Sequence, residues 1–216
     1  MKLCEDIQEH IESLYGIKVG ESACDYLIDR ESVLTLIASN QADVTLPKEL
    51  FLVNNAPEDE TLEVALFLDH DLQQNLTTHN PLENLSRKNI SDFCTLIEGI
   101  SHFVYYLHKA ALEHNITQLE MELQAEIDKF LLLSLLTRCE HLPTGQLLAL
   151  LFENYQLHKH LGDEQIERYQ QASQLAARFC HKISRDIQEK RMPELLQKIR
   201  EFYPLSQQEK IDSILN

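Results

Sequence analysis

Glu98 and His102 stand four residues apart in the run Leu96-Ile-Glu-Gly-Ile-Ser-His102, and Glu122 and Glu126 stand four apart in Glu122-Leu-Gln-Ala-Glu126. On a helix, residues four apart share a face, so each pair aims two polar groups in one direction. An imidazole with carboxylates is a donor set for a first-row transition-metal ion, and the same groups can accept and release protons. The candidate set is Glu98, His102 and Glu126, as metal ligands or as a proton-transfer group. No Walker loop, nucleophile elbow, glycine-rich dinucleotide fingerprint or His-Glu-x-x-His motif accompanies them. No organic cofactor is expected.

The elements that must position these residues are helical. Five glycines and six prolines in 216 residues leave few interruptions. From Ser91 onward the pattern predicts a helix to about His114, then a second opened by Thr117 and Glu120 as a capping box. A third is expected from Pro143 to about His160, a long fourth from Gly162 to about Lys190, and shorter ones after Pro193 and Pro204. The fold class is mainly α, with a C-terminal antiparallel bundle of four or five helices over residues 90–216. Residues 1–80 form a small acidic α+β part. There Leu3, Ile7, Ile11 and Leu14 make a helical stripe ending at Gly16, residues 20–45 stay ambiguous between strand and helix, and 49–54 with 61–68 read as a β-hairpin that needs a third strand or a helix to cover it.

The arrangement resembles a ferritin-like di-iron bundle, which implies inward-facing carboxylates with Glu-x-x-His pairs. The chain departs from that pattern: its Glu–His spacing is four, and the bundle region contains no Glu-x-x-His. Helical phase points away from a core site. At ~100° per residue, Phe93, Ile97, Ile100, Val104, Leu107 and Ala111 form the apolar stripe, and Glu98, His102, Tyr105 and Lys109 fall opposite it. A hairpin about Asn115 brings Glu126 near His102 or Tyr105 and Lys109 level with Glu122. It separates Glu98 from Glu122 by ~16 Å along the axis at ~1.5 Å per residue, too far to share a metal. Three readings follow: a polar or second-layer face with ordinary salt bridges, a metal or proton-transfer site, and a buried polar network covered by the N-terminal part. Phase favours the first. His158, on a face with Leu147 and Leu151, reads as a core histidine.

Charge and composition bound the rest. Net charge is −16, with 17 acids against 4 bases in residues 1–86, so no nucleic-acid binding is expected. No run approaches the ~18 apolar residues of a membrane span, and the five cysteines lack CxxC spacing. The acidic N-terminus lacks the apolar core of a signal peptide, and a cytoplasmic protein with reduced thiols is expected. The blocks LIEGISHFVYY and ELQAEIDKF resemble a segment of about 40 residues in bacterial proteins; the resemblance implies a bacterial protein and brings no activity with it. Leu131, Leu132, Leu133, Leu135 and Leu136 point all round their helix, and the third helix repeats this, which predicts a homodimer. The expected function is a noncatalytic protein–protein interaction or adaptor role with a protein partner or a second copy. The alternative is a metal-binding helical-bundle enzyme using the Glu/His site.

Overall fold

The computed structural model describes residues 2–37, 45–55, 62–136, 143–153 and 162–216. The chain is mainly helical, with a three-stranded sheet against one end of the bundle. Helix α1 (Lys2–Tyr15) turns Cys4, Ile7, Ile11 and Tyr15 inward. It stops at Gly16, whose φ of 67° suits a residue without a Cβ. Its last carbonyls are closed from outside: Arg200 donates to the oxygens of Leu14 and Ser13 at 2.9 and 3.0 Å.

The ambiguous stretch after it holds a short 3-10 turn (Ala23–Tyr26), strand β1 (Leu27–Ile28) and helix α2 (Arg30–Leu36), capped by Asp29. The expected hairpin is β2 (Glu49–Asn55) with β3 (Leu62–Leu68). Strand β1 adds in parallel on the far edge of β3, giving the order β1-β3-β2. Helix α3 (His70–Thr78) follows, its first turn capped by the Asp69 carboxylate.

Helix α4 (Ile90–Ala111) underlies both hairpin strands and packs on α1. Gly99 allows the close approach, because a Cβ there would stand 2.9 Å from Glu49 Cγ and 3.0 Å from Leu66 Cδ1. Helix α5 (Gln118–Leu136) runs back beside α4 after a turn in which Glu113 adopts φ 56°. Thr117 Oγ1 accepts the Glu120 amide at 3.1 Å, as a cap should. Helix α6 (Thr144–Leu148) widens into a π-helical turn over Ala149–Glu153. The expected continuation of that helix, including His158, lies outside the described residues. Helices α7 (Asp163–Gln188), α8 (Met192–Phe202) and α9 (Gln207–Leu215) complete the chain, and α4, α5, α7 and α8 form the bundle core. No helix among the described residues is long and apolar enough to cross a membrane.

Helix α5 is buried from Leu123 to Leu133 within one chain, while Leu135 and Leu136 at its end are half-buried. Its polar residues are buried as well. Asp128 sits where several helices meet: its carboxylate accepts Tyr15 of α1, Ser101 of α4 at 2.5 Å and Gln124 of α5 at 3.0 Å. Gln124 Oε1 in turn accepts Lys210 of α9 at 2.7 Å. The Lys210 ammonium lies 4.6 Å from the ring centre of Tyr105 and 4.7 Å from that of Phe202. Lys109 binds Glu120 at 2.9 Å and the carbonyls of Pro204 and Leu205, tying the α8–α9 turn to the bundle. Such buried ions need this level of satisfaction, since an unpaired one costs several kcal/mol, or about 3–5 when one partner is removed.

Candidate metal centre

The face of α4 opposite its apolar stripe is largely covered: His102, Tyr105 and Lys109 are buried and Glu98 is half-buried, with Asp92 and Ser101 buried on its flanks. Phase identifies which residues lie opposite the stripe, and α4 is enclosed there by the sheet on one side and by α5 on the other, so this polar face is a second layer and not a solvent-exposed one. The N-terminal part supplies one of the covering groups, Glu49 at the start of β2.

One ligand atom from each of Glu98, His102 and Glu122 lies within 4.8 Å of those of the other two. His102 Nε2 faces Glu122 Oε2 at 3.8 Å, and His102 Nδ1 faces Glu49 Oε1 at 3.5 Å. Both distances suit ion pairing and exceed a good hydrogen bond. His102 Nε2 and Glu49 Oε1 are buried without a hydrogen-bond partner. Tyr169 of α7 is near enough to feel Glu122: burial and that carboxylate hold its hydroxyl well above the usual range.

Glu98 and Glu122 meet beside His102 although their Cα positions are well separated along the helix axes. Side chains held level with their Cα atoms, in a register centred near Asn115, would stay ~16 Å apart along the axis. The observed pairs Ser101–Asp128 and Lys109–Glu120 shorten the offset by only two residues, ~3 Å at ~1.5 Å per residue, so the gap is closed mainly by the two long glutamate side chains and the His102 imidazole reaching along the helices. The same shift gives Lys109 to Glu120 rather than to Glu122. Glu126 is placed differently from Glu98 and His102. Its Oε1 lies 2.6 Å from Lys129 Nζ, which also holds Glu98 Oε2 at 3.0 Å.

Electrostatics follow from four carboxylates and one lysine in a dry setting. Burial raises Glu49 and Glu126 above the ordinary carboxylate range. Burial, with Glu98 adding, pushes Glu122 up to about 7. Burial opposes the imidazolium of His102, but Glu49, Glu122 and Glu98 outweigh it and lift the group to about 9. Burial likewise opposes the Lys129 cation, and Glu126 with Glu98 hold it well above its usual value. Near neutral pH the cluster thus retains a proton on His102 and partial protonation at Glu122. A dication that displaces those protons relieves the same excess of negative charge.

Glu49, Glu122 and Tyr169 were not in the sequence-derived set. Glu49 lies in a strand far from α4 in sequence, and Tyr169 reads as part of the α7 apolar stripe. One signal was available: Gly99 in the middle of an apolar helix marks a close approach by another segment. A separate surface groove of about 530 Å³, lined by Leu148, Phe152, Arg178, His181, Lys182 and Ile214 among others, shares no residue with the cluster. Comparison of the chain with family models, with curated proteins and with solved structures finds no match.

Proposed function

We propose that the protein binds one divalent first-row transition-metal ion through Glu98, His102 and Glu122, and that this ion is the centre of its activity as a helical-bundle metalloenzyme. The observation that carries the reading is the buried, unpartnered Nε2 of His102 facing carboxylates of two helices. A buried imidazole nitrogen without a hydrogen bond costs about 1–3 kcal/mol, and coordination is one way that such a nitrogen is satisfied.

The surrounding groups fit the role. Metal-ligating histidines commonly turn their second ring nitrogen toward a carboxylate, which fixes orientation and raises basicity. Glu49 stands in that relation to His102 Nδ1. A mixed imidazole–carboxylate set suits manganese, iron or zinc, and a bound ion of this type supplies Lewis-acid or redox chemistry at its open positions.

The test is elemental analysis of untagged protein, followed by titration of metal-stripped protein with Mn²⁺, Fe²⁺ and Zn²⁺. The expected result is one ion per chain, lost in His102→Ala. Absence of stoichiometric binding at micromolar ion would refute the proposal and leave the protein-interaction role as the reading to pursue.

A further inference from the structure

We infer that Lys129 serves as the built-in second cation of this cluster, restricting it to a single metal ion. The inference rests on the metal reading of Glu98, His102 and Glu122 and adds what limits their stoichiometry.

The cluster holds four carboxylates, Glu49, Glu98, Glu122 and Glu126, all wholly or mostly buried. Carboxylates in that number around one imidazole would accommodate two dications, with Glu98 placed between them. The position on the Glu126 side is already taken. Lys129 Nζ lies 3.0 Å from Glu98 Oε2 and 2.6 Å from Glu126 Oε1, and its side chain is only 8% exposed. An ammonium between two carboxylate oxygens does electrostatically what a bridging metal would do there.

The tether matters. Lys129 is one turn from Glu126 on the same helix, so its charge cannot diffuse away and a free ion must displace it. Glu98 is consequently shared between the ammonium and the metal ligands, while Glu126 is held away from the imidazole. This explains why the sequence spacing, which grouped Glu126 with Glu98 and His102, does not match the geometric group. It also makes Lys129 a positioning residue that would act on the metal through Glu98.

The experiment is Mn²⁺ titration of metal-stripped protein with elemental analysis after desalting, on the wild type, Lys129→Met, Lys129→Arg, Glu126→Gln and the double variant Lys129→Met/Glu126→Gln. The expected counts are one ion per chain for the wild type, two for Lys129→Met, and one for both Lys129→Arg and the double variant. Glu126→Gln, which leaves the Lys129 ammonium to Glu98 alone, is expected to bind one ion more weakly than wild type, and the double variant is expected to recover that affinity. Should Lys129→Met fail to fold, Lys129→Gln keeps a polar group between Glu98 and Glu126 and carries the same expected count of two, and one ion in that folded variant would overturn the assignment. One ion in a folded Lys129→Met protein, or two in the wild type, would likewise overturn the role of Lys129 while leaving the metal site standing. No ion in the wild type would defeat the metal reading itself, and this inference with it.

Discussion

Replacing Tyr15 by phenylalanine removes one of the side-chain donors to the buried Asp128 carboxylate, leaving Ser101 and Gln124. The Tyr15 hydroxyl donates to Asp128, accepts Gln124 Nε2 at 2.8 Å, and its ring stacks on Tyr203 with centroids 3.8 Å apart. Phenylalanine keeps the stack and the volume, so the loss is confined to the polar contact. A hydrogen bond to a buried charged group contributes about 1.5–3 kcal/mol, and Asp128 keeps Ser101 and Gln124, so a cost of about 2 kcal/mol is expected where the carboxylate is ionised. With unfolding entropy of about 2.1 cal/mol/K per residue over the whole chain, that corresponds to a Tm lower by about 4 °C.

The pH dependence separates this mechanism from a general packing defect. Burial raises Asp128 to about 6, against the pull of its donors Ser101, Tyr15 and Gln124 and of nearby Lys210. An unfolded aspartate titrates near 3.9, so between about pH 4 and 6 the native state holds a proton that the unfolded state has released. Native stability from this group therefore falls as pH rises through that window and levels off above it. Without the Tyr15 donor the carboxylate titrates higher still. The Tyr15→Phe cost should be about 2 kcal/mol at pH 8 and shrink to about 1 at pH 5, where Asp128 is neutral and the lost bond is an ordinary one. Urea denaturation of both proteins at the two pH values measures this, and titration of His102 and Glu122 largely cancels in the difference. An equal loss at both pH values, or none at pH 8, would refute the argument.

Further outcomes follow from the same contacts. Metal at one hundred times its dissociation constant should stabilise the wild type by about 2.7 kcal/mol, raising Tm by about 6 °C, with no rise in His102→Ala by differential scanning fluorimetry. Gly99→Ala gains about 1 kcal/mol of helix propensity but drives a methyl group against Glu49 and Leu66, an overpacking cost of about 1–3 kcal/mol. A net loss near 1 kcal/mol in denaturant, with weakened metal binding as β2 is pushed off α4, is expected; a stabilised protein would show that the sheet does not press on the helix there. Lys109→Met strips a buried partner from Glu120 and from the Pro204 and Leu205 carbonyls, which should cost about 3–5 kcal/mol. Hydrogen exchange should then rise in residues 203–215 before it rises in α1, and uniform acceleration would contradict the anchoring role.

What could be read from residue order alone is local. The apolar periods of α1 and α4, the cap at Thr117 and the stop at Gly16 depend on neighbours within a few residues, and each is present in the fold; β3 is present too, but Leu66, Phe67 and Leu68 are buried in succession rather than alternately. The all-round leucines of α5 announced a surrounded helix for the same reason, because a helix apolar on every side has no face to offer water. The significance of Glu98 and His102 was legible in their types and spacing. Their surroundings were not. Whether a polar stripe meets solvent or another element depends on how distant segments pack, and Glu49 reaches His102 only because Gly99 lets a strand from fifty residues earlier lie against α4. The exchange of Glu126 for Glu122 beside His102 is likewise tertiary. It depends on the register of two helices and on where one lysine places its charge, and neither is written into a spacing of four.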